Sequence, residues 1–276
     1  MLRPVHLIAG IATGLVAIAA IVRERRVRER AERFASAALE SLLRAIDAND
    51  PQTGAHVRRV AEYALIIADA MDVSESERRT IELASLFHDV GKIHEAMFDI
   101  VHEARKLTPG EREALRTHPA RGAEVLAPIA SFHPQLAEAV LAHHERWDGS
   151  GYPKGLRAQR IPIAARVVMI ADTFDAITQR RRYRNSRSTR RAAEIICAAA
   201  GTQFDPELVQ LMMQAPVFER ITRAHRAHAR RGNRIPKRAG KVATRKRMPD
   251  VDIRWRTRTQ SPTQLGHPEG LSSAAP

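Results

Sequence analysis

Cysteine, aromatic residues and alternating apolar runs are all scarce in this sequence. A single cysteine, Cys197, stands among 276 residues, which excludes an internal disulfide and suits a reducing compartment. Aromatic side chains make up 4% of the chain, and strand-like alternation between turn signals is hard to find, whereas apolar residues recur at helical spacing. These features argue against a β-sandwich and predict an all-α protein of one or two domains.

Acidic residues are scarce towards the end of the chain. From Glu219 to Pro276 there are 15 Arg and Lys against 4 Asp and Glu, which supplies +11 of the net charge of +14. The basic total is therefore not evidence for a nucleic-acid-binding domain. We expect residues 216–276 to form a disordered basic tail, because large apolar residues are few there. Anionic lipid or nucleic acid could bind such a tail, and a solvated tail without a partner is the simplest alternative.

Charged residues are absent from residues 5–22, VHLIAGIATGLVAIAAIV. This length is near the short limit for crossing a bilayer. Five arginines follow within residues 23–30, against Arg3 alone before the run, and the positive-inside rule then places the remaining chain in the cytoplasm. We predict that residues 1–22 form a single-pass anchor in the cytoplasmic membrane. A cleaved signal peptide is the alternative, since AIA at 17–19 resembles a cleavage site.

Residues 23–45 are charged and favour a helical linker. A short coiled-coil homodimer through residues 23–46 is one interpretation, and a solvated helix docking on its own domain is the other. The apolar residues that could mediate either contact are Val27, Phe34, Ala38, Leu42 and Ile46. Beyond this linker, helical patterns continue to about residue 215 and predict the globular body.

Residues of metal-ligand type are spread over the predicted helices of this body. If several antiparallel helices each contribute one of them, the side chains converge on a common centre. Imidazoles with carboxylates suit Fe or Mn, with Zn or Ni as alternatives, better than Mg or Ca. An aspartate beside a histidine could bridge two ions, which would generate a hydroxide and polarise a phosphoryl oxygen. The candidates are His56, His88, Asp89, His118, His143, His144 and Asp172.

Two segments resemble the signatures of the HD-GYP domain, a branch of the HD metal-dependent phosphohydrolases. They are HDVGK at 88–92 and HHERWDGSGYP at 143–153. Five further motifs of that family occur in the same order: TGAH (53–56), THP (117–119), IPIAARVVMIADTFDAIT (161–178), RRYR (181–184) and GTQFDPELV (201–209). The resemblance covers roughly residues 46–213. It implies an HD-type helical bundle over residues 46–215 with a central metal site.

The resemblance also implies roles for individual residues. The seven candidates match the family's metal ligands for two divalent ions, with Asp89 as the bridge. Lys92 matches a lysine that faces the substrate phosphate and the attacking water, and Arg181 and Arg184 match basic residues that grip a phosphate. Tyr152 lies where a base could be contacted, and the Gly-Tyr-Pro loop could bind a signalling partner.

The activity implied by the resemblance is hydrolysis of cyclic di-GMP to pGpG, and sometimes onward to GMP, by metal-hydroxide attack. Three departures from the family pattern bear on this expectation. Val57 replaces a common serine, and Gln52 stands where members with three metals have an acid, which favours two ions. Residues 93–107 lack the usual proline and glycine, so substrate choice is open. A phosphohydrolase for another nucleotide and a non-catalytic signalling scaffold are the alternatives.

Overall fold

The computed structural model describes residues 4–93, 108–179 and 186–234, with only the backbone described for residues 4–17 and 231–234. The regular secondary structure in these ranges is helical, apart from an isolated bridge between Ala200 and Phe204, which confirms the all-α prediction. The α-helices are α1 (Pro4–Asn49), α2 (Pro51–Ala70), α3 (Glu75–Phe87), α4 (Pro109–Leu115), α5 (His118–Leu126), α6 (Leu136–Ala142), α7 (Ile163–Thr178), α8 (Thr189–Ala198), α9 (Pro206–Met213) and α10 (Ala215–Arg234).

The first helix, α1, runs without a break through the predicted anchor and linker. No glycine or proline occurs between residues 15 and 49, so nothing in the sequence interrupts the helix there. It stops before Pro51, because Asp50 adopts the extended conformation (φ −145°) that a following proline favours. The carboxylate of Asp47 in its last turn receives two hydrogen bonds from Arg58 of α2, at 2.5 and 2.6 Å.

The second half of α1 packs on the helical body. Ala35, Leu39 and Ile46 are buried in the core, whereas Val27 and Phe34 are 59% and 78% exposed. Ile46, one of the five apolar residues named for a coiled coil, is thus part of the core, and the second half of α1 packs on its own domain. The coiled-coil homodimer stays a prediction. In the described ranges, no helix has the combination of length and apolarity needed to cross a bilayer.

Helices α2, α3 and α7 form the centre of the core. Tyr63 of α2 and Phe174 of α7 are fully buried and meet edge to face, with ring centroids 5.2 Å apart, an arrangement that aromatic pairs favour. Helix α3 begins with a reciprocal capping box between Ser74 and Glu77 and ends one residue before His88. These three helices carry or directly precede His56, His88 and Asp172.

The beginning of the predicted tail is a helix, which corrects the expectation of disorder from residue 216. In α10, Val217, Ile221 and Ala224 are buried, and Arg220 pairs with Asp69 of α2 at 2.8 Å. The spacing of these apolar residues, four and then three apart, puts them on one face of a helix. The high average charge of residues 216–276 gave no indication of this apolar spacing. The rest of the tail, residues 235–276, lies outside the described ranges.

Candidate metal centre

Five segments bring the predicted ligands together. They are the first half of α2, the residues after α3, the start of α5, the residues after α6, and the middle of α7. In that order they carry His56, His88 with Asp89, His118, His143 with His144, and Asp172.

The histidine pair lies after the end of a helix. Helix α6 ends at Ala142, directly before the pair. The chain turns there, with the amide of Glu145 donating to the carbonyl of Ala142 at 2.9 Å. In this turn the rings of His143 and His144 lie with centroids 4.1 Å apart, so both reach the same centre. The glycine-rich loop that follows closes over them.

The ligand-type side chains form two clusters. Within each cluster, the nearest ligand atoms all lie within 4.8 Å of one another, which is close enough for one ion to bind all three. One cluster is His56, His88 and Asp172, and the other is His118, His143 and His144.

Asp89 lies between the two clusters. Its Oδ2 is 3.5 Å from Nε2 of His88 in one cluster, and its Oδ1 is 3.3 Å from Nε2 of His118 in the other. The same Oδ1 lies 2.7 Å from Nζ of Lys92. One carboxylate oxygen therefore faces each cluster, the placement required of a residue that bridges two ions.

Backbone carbonyls orient three of the imidazoles. Each of these rings has Nδ1 within hydrogen-bond distance of the carbonyl three residues earlier, so that the other ring nitrogen, Nε2, faces the centre. Such outer contacts fix the tautomer and the ring direction of a metal ligand. The pairs are His88 with Ser85 at 2.9 Å, His118 with Leu115 at 2.6 Å, and His143 with Val140 at 2.6 Å.

A carboxylate orients His56 instead. Nδ1 of His56 donates to Oδ2 of Asp175 at 2.7 Å, and Nε2 lies 3.3 Å from Oδ1 of Asp172. Asp175 is buried and is held by Arg59 through contacts of 2.7 and 2.9 Å. The ring is thus fixed between one acid behind it and another at the centre.

The arrangement of nitrogen atoms suits a bound cation. Nε2 of His118 and Nε2 of His143 face each other at 3.1 Å, although Nδ1 of each ring contacts a carbonyl. In neutral rings with that tautomer, two lone pairs oppose each other. Nε2 of His88 is buried and has no hydrogen-bond partner in the described part of the chain. A divalent ion in each cluster would bind these nitrogens, so the residues fit the metals that the sequence predicted.

Burial favours the neutral form of His143 and His144, the form that metal ligation requires. Desolvation lowers the pKa of His144 to about 4 and the pKa of His143 well below its ordinary value. Burial also acts against ionisation of Asp89, but the charge of Lys92 and the neighbouring imidazoles hold its pKa well below the usual range. Two neutral imidazoles and an ionised carboxylate therefore lie side by side.

The Gly-Tyr-Pro loop is held by Glu145. This side chain is fully buried, and its two oxygens accept hydrogen bonds from the amides of Lys154 at 2.6 Å and Leu156 at 3.0 Å. Gly151 passes so close that an added Cβ would lie 2.5 Å from Cα of Glu145. A residue with a side chain does not fit there without a backbone shift, which explains the glycine.

A cavity of about 650 Å³ opens beside the histidine cluster. Tyr152 borders it and stacks on His144, with ring centroids 4.9 Å and planes 23° apart. The guanidinium of Arg116 lies over the Tyr152 ring at 4.6 Å. Asp172, Thr173 and Gln203 also line the cavity. A ligand in this space would contact the metal site at one end and an aromatic, basic rim at the other.

Comparison with known families assigns the fold. The family described as HD domain matches residues 40–208, a range that contains all seven ligand-type residues. The chain belongs to the HD domain family. The resemblance that the sequence motifs indicated is thereby confirmed.

Three curated relatives match most of this HD domain. They are the 3'3'-cGAMP-specific phosphodiesterase 2 of Vibrio cholerae (39% identical over 176 residues), the cyclic di-GMP phosphodiesterase response regulator RpfG of Xanthomonas campestris pv. campestris (38% over 178) and the cyclic di-GMP phosphodiesterase of Thermotoga maritima (38% over 185). The matches cover 63%, 64% and 66% of this chain and 33%, 47% and 50% of the relatives. The chain thus spans one third to one half of each relative's length.

One solved structure shares the fold. It is the crystal structure of a cyclic GMP-AMP specific phosphodiesterase of V. cholerae, with a TM-score of 0.51 and 23% identity. The match covers 71% of this chain and 52% of that one.

Of the remaining predicted site residues, two lie within the described ranges and two do not. Lys92 lies beside Asp89, and Tyr152 borders the cavity, as described above. Arg181 and Arg184 fall outside the described residues, as does most of the unusual 93–107 segment.

Two residues of the HD domain site were not predicted from the sequence. Asp175 and Glu145 are 1% and 0% exposed, and each holds a functional segment through hydrogen bonds. An acid within the apolar run of α7, three residues after Asp172, is unusual enough to have indicated the first. A glutamate directly after the histidine pair gives no comparable signal.

Proposed function

We propose that this chain is a metal-dependent phosphodiesterase that hydrolyses cyclic di-GMP to linear pGpG. Further cleavage of pGpG to GMP is the second reaction to be tested. The observation that supports the proposal is the position of Asp89, with one oxygen towards each of two ligand clusters. Two ions bridged by a carboxylate suit in-line cleavage of a phosphodiester, because the attacking and the leaving oxygen are both stabilised.

Residues of this chain would hold the ions as two groups joined by Asp89. His56, His88 and Asp172 would bind the first, and His118, His143 and His144 the second. Bound ions of this kind polarise phosphoryl oxygens and lower the pKa of water. Fe or Mn suits these ligands, with Zn or Ni as alternatives.

Lys92 supplies the remaining charge at the reacting phosphate. Its ammonium lies 2.7 Å from the carboxylate of Asp89 and is partly exposed to solvent. From this position it can donate to a phosphate oxygen and stabilise the added negative charge as the phosphorus becomes five-coordinate. The pairing with Asp89 also holds the lysine beside the reacting centre before substrate arrives.

The substrate class rests on the relatives. Two of those described above are named for cyclic di-GMP and one for 3'3'-cGAMP, so 3'3'-cGAMP is the second candidate substrate. A cavity of about 650 Å³ has room for a nucleotide beyond the phosphate on the ions. Another nucleotide as substrate, or a non-catalytic scaffold that presents the Gly-Tyr-Pro loop to a partner, remains the alternative.

Hydrolysis assays on the full chain test the proposal. The protein would be loaded with Mn²⁺ or Fe²⁺, its metal content measured, and the same sample given cyclic di-GMP, 3'3'-cGAMP and bis-p-nitrophenyl phosphate. We expect about two ions per chain and cleavage of at least one cyclic dinucleotide. Full metal loading without cleavage of any of the three would favour the scaffold, and cleavage of the small ester alone would indicate another substrate.

We also propose attachment to the cytoplasmic membrane, with the catalytic domain in the cytoplasm. This proposal rests on the sequence: 18 uncharged residues are followed by five arginines within residues 23–30. The positive-inside rule gives the orientation. A site at the membrane surface would also bring the basic residues of the tail near anionic lipid.

A further inference from the structure

We propose that Arg116 selects guanine over adenine in the nucleotide that binds the cavity beside the metal centre. The inference depends on the proposed function only in placing a nucleotide there. A base would lie at the end of the cavity that is farther from the ions. Arg116 would recognise that base.

A column of three side chains leads from the histidine cluster to the cavity rim. His144 stacks on Tyr152, and the guanidinium of Arg116 lies over the Tyr152 ring at 4.6 Å. A cation over an aromatic face is attracted by the ring quadrupole, so this contact positions the arginine without an acid. The column fixes the distance between the recognition group and the ions.

Arg116 is not needed to hold the fold. It follows α4, where its backbone amide bonds to the carbonyls of Arg112 and Glu113, contacts that any residue except proline can make. Its side chain is exposed and pairs with no carboxylate among residues 4–93, 108–179 and 186–234. The guanidinium therefore has donors available for a ligand.

Guanine matches these donors better than adenine does. The Hoogsteen edge of guanine carries two adjacent acceptors, N7 and O6, which the planar fork of an arginine can bind together. Adenine replaces O6 by an amino group, a donor that repels the guanidinium. A bidentate contact of this kind discriminates between bases by on the order of tenfold or more.

The contact with Tyr152 depends on the charge of Arg116. An aromatic face attracts a cation that lies over it, and the guanidinium lies 4.6 Å from the centroid of the Tyr152 ring. Replacement of the arginine by lysine would keep the charge over this ring but lose the planar fork.

Binding of GMP and AMP to the full-length, metal-loaded protein tests the inference. The two mononucleotides share one phosphate and differ in the base, so the ratio of their dissociation constants measures base recognition alone. The variants are Arg116→Ala and Arg116→Lys. The matched control is Arg112→Ala, which removes the same charge from the lining of the same cavity one turn earlier.

We expect the wild-type protein to bind GMP on the order of tenfold more tightly than AMP or better. Both Arg116 variants should bring the ratio close to one, and Arg112→Ala should leave it unchanged. A wild-type ratio near one would overturn the inference, as would a preference that survives in Arg116→Ala. Equal weakening of both nucleotides in that variant would make Arg116 a phosphate anchor and would also overturn it.

Failure of the proposed function gives a different result. A protein that hydrolyses no cyclic dinucleotide but loses its preference for GMP in Arg116→Ala would retain the base site without the phosphodiesterase activity. Hydrolysis of cyclic dinucleotides by a protein without any preference between the bases would support the proposed function and overturn the role of Arg116.

Discussion

Asp175 on α7 holds His56 on α2 through a hydrogen bond of 2.7 Å to Nδ1. Arg59 occupies both oxygens of the same carboxylate. Burial opposes protonation of the imidazole, but the hydrogen bond to Asp175 and the charge of Asp172 raise the pKa of His56. An acid outside the ligand set thus decides which nitrogen of His56 faces the centre.

Asp175→Asn should weaken metal binding by about 10–100-fold, the usual cost of losing an outer partner of a ligand histidine. Titration of the metal-free protein with Zn²⁺ or Mn²⁺ measures it. Asp205→Asn is the matched control, because Asp205 is equally buried and pairs with Arg166 at 2.6 Å. Both variants should lose stability, since each removes the charged partner of a partly buried arginine. If metal affinity fell equally in both, Asp175 would have no particular role at the metal site.

Asp89→Ala should abolish metal loading and activity together, because it removes the carboxylate that faces both clusters. The helical fold should persist, as judged by circular dichroism. Metal analysis and hydrolysis are measured on the same sample, with Asp148→Ala as control, since Asp148 bonds to Ser150 in the loop. Full activity of Asp89→Ala would contradict a two-metal mechanism.

Glu145→Ala should destabilise the Gly-Tyr-Pro loop. The change leaves the amides of Lys154 and Leu156 without their acceptor, at a cost of about 1–3 kcal/mol for each group that water does not reach. Urea unfolding measures the free energy of unfolding. Glu145→Gln keeps one acceptor oxygen and should lie between wild type and Glu145→Ala. Equal stability of all three proteins would show that the loop does not depend on this side chain.

Arg184→Ala or Arg181→Ala should reduce turnover of cyclic di-GMP by on the order of tenfold or more, which corresponds to the loss of a charge-assisted hydrogen bond. A cyclic dinucleotide has a second phosphate that needs an anchor away from the ions, and arginine binds phosphate bidentately. Bis-p-nitrophenyl phosphate has no second phosphate, so its hydrolysis should change little. An equal fall for both substrates would instead place the arginines at the metal site or in a structural role.

A reporter fused after Pro276 should indicate a cytoplasmic location, and the full chain should fractionate with membranes. The arginines at 23–30 give the direction. Deletion of residues 1–22 is the control and should release the protein into the soluble fraction. Full-length protein that is soluble and cleaved near residue 20 would rule out the anchor.

The convergence of the seven ligand-type residues could be predicted from the sequence, whereas the residues that orient them could not. His88 and Asp89, or His143 and His144, are recognisable because they occur in short, rigid motifs. Asp175 acts on His56 across 119 residues, and such pairings depend on how α2 packs against α7. The role proposed for Arg116 in base recognition depends on its contact with Tyr152, which again joins segments distant in the chain.

Fold class was predictable because helical periodicity is local, but the limits of the domain were not. The start of the body was expected at residue 46, yet Ala35 and Leu39 already belong to the core. Its end was expected at residue 215, yet α10 packs on α2 through Ile221. In both places a narrow apolar face lies among many charged residues. The average composition of such a segment reflects the charged residues and does not reveal the few apolar ones that pack on the core.

Helix α1 is long and continuous. Its 46 residues correspond to about 70 Å at the rise of an α-helix. Asp47 in the last turn of α1 is paired with Arg58, and Arg58 lies two residues after His56. Rotation of α1 about its axis would therefore displace the turn of α2 that carries this metal-site histidine. A displacement of α1 would therefore reach this metal-site histidine through the Asp47–Arg58 pair, which spans the break between the two helices at Asp50.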